Sequence, residues 1–343
     1  MKVLLLVLVV VVGLLMLLEV SLRLIVGFGN PLLYIADEET GYRLAPNQRV
    51  RRFGNRIAIN EYSMRSAAIA LKRPASTLRV LLLGDSIANG AWWTDQDKTI
   101  PALIATQLER LVGKATSESL STQPSFERVE VLNASANSWG PRNELGYLKR
   151  FGTFEAQALV LLINTDDLFA TAPTSVQVGR TRHYPDCKPP LALVEVFQRY
   201  VLPAPAIPEM QLVYAEAGDR VGFNLEAIRQ IQSLANAADA QFLLAMTPLL
   251  RELGEPDFRD DEIKARRRLT EFTQDRRITY LDFLGEFNNT QSPEALYRDH
   301  IHLSPQGNQK VSELITRSLQ QQLGQLITPT AATEITVTTD KTL

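Results

Sequence analysis

Residues 78–86 read Leu78-Arg79-Val80-Leu81-Leu82-Leu83-Gly84-Asp85-Ser86. An apolar run of this length, closed by a glycine and two small polar residues, marks a buried strand over 79–84. Four more short apolar runs, at 129–133, 159–164, 241–246 and 278–281, have the same character. Stretches of helical period separate them at 99–112, 143–150, 224–237 and 262–274, and a last one follows at 305–323. In the first of these, Ile100, Leu103, Ile104, Leu108 and Leu111 fall on one face. The alternation predicts an α/β fold: a central five-stranded parallel sheet with helices on both faces. Right-handed crossovers then bring every strand's carboxyl end to one edge, where open α/β sheets bind ligands. Ser86 stands at that edge.

Upstream of this unit the chain changes character. Residues 3–18 read VLLLVLVVVVGLLMLL, and apolar residues continue past Glu19 to Val26. Sixteen helical residues cover about 24 Å, and the continuation brings the segment to the ~30 Å of a hydrocarbon core. Residues 1–27 are therefore expected to form a membrane anchor, with Glu19 and Arg23 near the far interface. The competing reading is a cleaved signal peptide, but no small-x-small cleavage site follows Leu18. Lys2 favours a cytoplasmic amino terminus, which places the remainder outside, in the periplasm of a Gram-negative cell. Arg23, Arg43, Arg49, Arg51 and Arg52 weigh against that orientation.

Residues 28–77 read as a connecting region with short strands, and 78–324 as the main domain. Seven prolines make 170–218 an irregular insertion within it, a candidate substrate-side cap. The threonine-rich tail, 325–343, lacks core periodicity and is expected to be disordered.

Hydrophobic residues make up 45% and charged residues 22%, an ordinary globular balance. The net charge of −2 gives no basic surface for nucleic acid. One cysteine, Cys187, excludes a disulfide framework and a cysteine-rich metal site. His183, Asp186 and Cys187 lie close together in the insertion but supply too few ligands for a metal. Neither metal nor cofactor is expected.

A serine hydroxyl needs a neighbouring base to become a nucleophile. The chain has three histidines, and two fall in Asp299-His300-Ile301-His302. On a tight turn, a spacing of three lets the Asp299 carboxylate accept a hydrogen bond from His302, which then takes the Ser86 proton. His300 competes, but neighbouring side chains diverge in extended backbone. Residues Ile87-Ala88-Asn89-Gly90-Ala91 predict a helix start whose N–H groups face an anion formed at Ser86. Taken alone, Gly-Asp-Ser is also an ordinary strand-to-loop turn, and Asp299 an ordinary helix cap. Trp92, Trp93 and Trp139 are candidate pocket residues or core packing.

Gly84-Asp85-Ser86, Asn133-Ala134-Ser135 and Asp299-x-x-His302-Leu-Ser-x-x-Gly-Asn together resemble the SGNH, or GDSL-type, hydrolase family over residues 78–323. The resemblance implies a flavodoxin-like sheet and the hydrolysis or transfer of acyl esters. It also implies an oxyanion held by the Ser86 N–H, a glycine N–H from the second block and an asparagine from the third. Here the glycine position carries Ser138, and the asparagine position aligns with Asp166. An ionised carboxylate would repel an oxyanion. Either Asn164, two residues away on one strand face, compensates, or a buried Asp166 keeps its proton. Anchored members of the family suggest an acylated envelope glycan or related ester as substrate. The alternative is a catalytically degenerate domain that binds glycan or scaffolds an envelope complex.

Overall fold

The computed structural model describes residues 1–118, 126–254 and 258–324. The tail expected to be disordered lies outside them. An apolar helix α1 (Lys2–Ser21) opens the chain and continues as a π-helical turn, Leu22–Val26. None of its residues is buried, and it is long and apolar enough to cross a membrane. Two hairpins follow, β1 (Tyr34–Asp37) with β2 (Gly41–Leu44) and β3 (Gln48–Arg52) with β4 (Asn55–Ile59). The main unit then runs β5 (Thr77–Gly84), α2 (Ser86–Asn89), α3 (Ile100–Glu118), β6 (Arg128–Ser135), α4 (Pro141–Phe151) and β7 (Ala158–Asn164). After α5 (Ala192–Tyr200) and α6 (Glu209–Tyr214) come α7 (Arg220–Ala237), β8 (Gln241–Thr247), α8 (Asp260–Asp275), β9 (Thr279–Asp282), α9 (Leu284–Asn288) and α10 (Pro305–Gln322).

The central sheet has the order β6-β5-β7-β8-β9, parallel throughout as the sequence pattern predicted, in the flavodoxin-like arrangement the resemblance implied. Alternate residues of β5 feed two separate cores. Leu81 and Leu83 pack with Leu148 of α4, Ile228 of α7 and Leu269 of α8. Val80 and Leu82 pack with Ile104 of α3 and Ile315 of α10. Burial on both faces is why these strands read as continuous apolar runs. Each buried leucine contributes about 1.5–3 kcal/mol. The chain reverses direction across the sheet at β5, whose neighbours are β6 and β7. That switch point opens a crevice at the β5 carboxyl end, where Ser86 lies.

Two local readings change. The segment after Ser86 is a single helical turn closed by Gly90 at φ +75°, not the start of a longer helix. The insertion is less irregular than its prolines suggested: Pro189-Pro190 and Pro203 flank α5 rather than interrupt it.

Candidate active site

The turn before α10 shapes the acidic end of the site. Asp299 Oδ1 accepts the backbone N–H groups of Ile301 (3.1 Å) and His302 (2.8 Å), and the Arg298 N–H donates to the His302 carbonyl at 2.8 Å. The turn is thus closed by the same carboxylate that meets the imidazole: His302 Nδ1 lies 2.9 Å from Asp299 Oδ2. Its other ring nitrogen, Nε2, lies 3.0 Å from Ser86 Oγ. With the proton on Nδ1, Nε2 is free to accept from the serine hydroxyl. Partial burial works against ionising Asp299, but hydrogen bonds from the His302 and Ile301 amides and the His302 ring outweigh it and hold the carboxyl below its usual range. His300 points away, its side chain 83% exposed and its ring 4.0 Å from Asp299.

The Ser86 turn is held from behind. Asp85 Oδ1 accepts the Ile87 N–H at 2.7 Å, and its Oδ2 lies 3.4 Å from Ser86 Oγ. A Cβ on Gly84 would come within 2.9 Å of the Leu162 carbonyl, so only glycine lets β5 and β7 close here. From the second block, the Asn133 amide donates to the Ala88 carbonyl (2.9 Å), and the Asn89 amide to the Ser135 carbonyl (3.1 Å). Arg65, 2% exposed, donates to the carbonyls of Asn89, Ala91 and Thr94 at 2.5–2.7 Å and of Arg56 at 3.2 Å. Sequence reasoning missed Arg65, because its partners are backbone carbonyls that carry no side-chain signature.

The oxyanion side is arranged differently. Ser138 holds φ +57°, the left-handed backbone that a glycine adopts freely. Its hydroxyl accepts from Tyr184 O–H at 2.9 Å. Asn164 is buried and gives both amide hydrogens to carboxylates, Asp85 at 3.0 Å and Asp167 at 2.9 Å. Its side chain is therefore committed inward, which corrects the expectation that it compensates as an oxyanion donor. Asp166 is not buried: it lies on the wall of the second cavity, partly shielded from solvent. Loss of solvent raises its carboxyl above the ordinary value; Arg251 and His300 pull it down, while Glu262 and Glu252 push it up.

Behind this wall lie three buried carboxyls. Burial raises Asp85 to about 6 against hydrogen bonds from Ile87 and Asn164 and the charge of His302. Burial also raises Asp167 well above its usual range, with Asp85 and Glu144 adding to it. Glu144 is raised by burial and by Asp85, and neither of its oxygens has a hydrogen-bond partner among the described residues.

Two cavities meet at Ser86, Ser138 and His302. The first, about 540 Å³, is lined by Trp92 and Trp93 with Phe28, Phe53 and Tyr200. The second, about 480 Å³, is lined by Asp166, Thr171, Thr174, Arg220 and His300. Trp93 meets the His302 ring at 4.6 Å between centroids. Trp139 is 1% exposed, donates to the Tyr42 carbonyl at 2.9 Å, and only backs the second cavity. His183 reaches the first cavity, whereas Cys187 is exposed.

A parallel sheet of this order, with a serine at its switch point facing a histidine and an aspartate, is the architecture of a serine hydrolase of the SGNH type. The chain matches the model of the GDSL-like Lipase/Acylhydrolase family over residues 82–310, more than half its length, and belongs to that family of ester hydrolases. No curated protein matches it. Among solved structures, it is similar to a putative GDSL-like lipase from Parabacteroides merdae, with 12% identity and a TM-score of 0.45, covering 72% of this chain and 98% of that one. It is also similar to the lipase/acylhydrolase from Enterococcus faecalis, with 12% identity and a TM-score of 0.42, covering 71% and 96%. A third is a mutant of Axe2, an acetyl-xylooligosaccharide esterase from Geobacillus Stearmophilus, with 15% identity and a TM-score of 0.43, covering 72% and 94%.

Proposed function

We propose that the chain is a membrane-anchored serine esterase or O-acyltransferase that acts on ester-linked acyl groups, O-acetyl foremost, of an envelope glycan or related ester. The observation that carries this reading is the line of hydrogen-bond distances from Ser86 through His302 to Asp299, set where two cavities join. Ser86 Oγ attacks the ester carbonyl as His302 Nε2 takes its proton, and Asp299 stabilises the imidazolium. His302 returns the proton to the leaving alcohol. Water or a glycan hydroxyl then attacks the acyl-enzyme from the cavity opposite the acyl group. The Ser86 and Ser138 N–H groups are the proposed oxyanion donors, with Asp166 at the third position. No metal or cofactor takes part.

The end of the apolar helix is bound to the main domain. Glu19 accepts the N–H groups of Ala192 (2.8 Å) and Leu193 (2.9 Å), and Arg23 donates to the Pro190 carbonyl at 3.0 Å. These bonds tie the end of the apolar helix to the first turn of α5. We place the main domain on the periplasmic side of an inner membrane.

Asp166 motivates the second reading, a degenerate domain that binds glycan without turning it over. The full chain in detergent should hydrolyse p-nitrophenyl acetate and be labelled at Ser86 by a fluorophosphonate. Turnover that survives Ser86→Ala would sink the nucleophile assignment, and glycan binding without turnover of any acyl donor would favour the second reading.

A further inference from the structure

The first cavity leads to the anchor. An unbroken series of ring contacts runs from its outer rim to the base: Tyr200 to Phe28 (6.2 Å), Phe28 to Phe53 (5.9 Å), Phe53 to Trp92 (5.0 Å), Trp92 to Trp93 (5.4 Å) and Trp93 to His302 (4.6 Å). Phe28 sits two residues beyond the last residue of the apolar segment, and the Phe53 N–H donates to the Val26 carbonyl at 2.8 Å. A Cβ on Gly27 would run into the Arg51 carbonyl, so the helix end and the β3–β4 hairpin are in close contact. Three members of the series are exposed, Tyr200 at 66%, Phe53 at 48% and Trp92 at 41%, while Phe28 is buried among them. Beside them, α5, which packs against the end of α1, and the residues after it expose Phe197, Val201 and Leu202.

Apolar and aromatic side chains next to the end of a spanning helix sit at the level of the lipid headgroups. We propose that the aromatic cavity opens onto the bilayer and takes its acyl chain from an ester of a membrane lipid. The proposal rests on the anchor and serine-esterase readings above, and it makes a lipid ester, rather than the glycan ester, the acyl donor. Ser86 Oγ bonds to the acyl carbon, the ester C–O bond breaks, and His302 passes the serine proton to the lipid's alkoxide oxygen. The lipid alcohol leaves, and a water or glycan hydroxyl arriving through the second cavity gives its proton to His302 as it attacks the acyl carbon; the bond to Ser86 Oγ breaks and His302 returns the proton to that oxygen.

The test uses the full chain reconstituted in phosphatidylethanolamine–phosphatidylglycerol vesicles, with and without bromine on the acyl chains. Two of the three tryptophans, Trp92 and Trp93, lie on the series, and the third, Trp139, is buried. Brominated chains should quench the tryptophan emission, and a Trp92→Phe, Trp93→Phe variant should lose that quenching. Equal emission in both vesicle types overturns the proposal, whether or not the protein turns over. Phe53→Ser and Tyr200→Ser should lower kcat/KM for a long-chain ester dissolved in the vesicles about tenfold more than for p-nitrophenyl acetate. Equal losses on the two substrates also overturn it. Quenching with no turnover of either ester would instead count against the esterase reading and leave the lipid contact standing.

Discussion

The ends of β5 and β7 are neighbours in the sheet, and both carry polar side chains to the site, yet their electrostatics differ. At β5, Ser86 has one imidazole within reach, and Asp299, the acid behind it, is held ionised by backbone amides. At β7, Asn164 lies between Asp85 and Asp167, Glu144 is buried nearby with no hydrogen-bond partner among the described residues, and Asp166 faces the cavity. The difference separates two tasks. Moving the serine proton needs a fixed imidazole and an ionised acid. Holding an oxyanion needs donors, and there this chain places carboxyls.

Four experiments bear on the contrast. The largest effect belongs to the β5 side: Ser86→Ala and His302→Ala should each lower kcat by about 10⁴-fold or more, with His300→Ala close to wild type. A large loss for His300→Ala with little for His302→Ala would reverse the assignment. On the β7 side, Asp166→Asn should raise kcat/KM by about ten- to a hundredfold, because it replaces a repelling group with a donor. An unchanged rate would place Asp166 outside the oxyanion's reach.

The third effect is on stability. Asp85 titrates at about 6 in the folded chain against 3.8 for the free side chain, so the folded state keeps a proton that the unfolded state releases. Stability from this group is full below pH 4 and is lost as the pH rises through about 6. Asp167 and Glu144 shift the same way. Thermal melts should show Tm falling between pH 4 and pH 7, less steeply in Asp85→Asn; parallel slopes would refute the buried-acid account. The smallest effect is expected at Ser138→Gly. Relief of left-handed strain, worth about 1 kcal/mol, opposes the loss of the Tyr184 hydrogen bond, so Tm should move by only a few degrees. A collapse in Tm would mean that the Tyr184 contact dominates.

Much of the fold was legible because both faces of the sheet are buried, which leaves continuous apolar runs at β5 and β7. The turn that joins Asp299 to His302 was legible because its bonds are local, three residues apart. The environment of Asn164 was not, since its partner Asp85 lies 79 residues away and meets it only when β5 and β7 pair. Helix α5 was masked by the prolines around it. The aromatic series was hidden for a similar reason: Phe28, Phe53, Trp92 and Tyr200 come from four separate segments.

Arg65 carries a consequence for how this protein can be cut or joined. It lies upstream of residue 82, where the family match begins, yet it holds the carbonyls on which the Ser86 turn rests. Through Arg65, the segment between the hairpins and the sheet is tied to the hydrolase unit and is not an optional leader. A chain begun at the first strand of the sheet would keep every signature residue of its family and lose the brace that keeps the nucleophile in place.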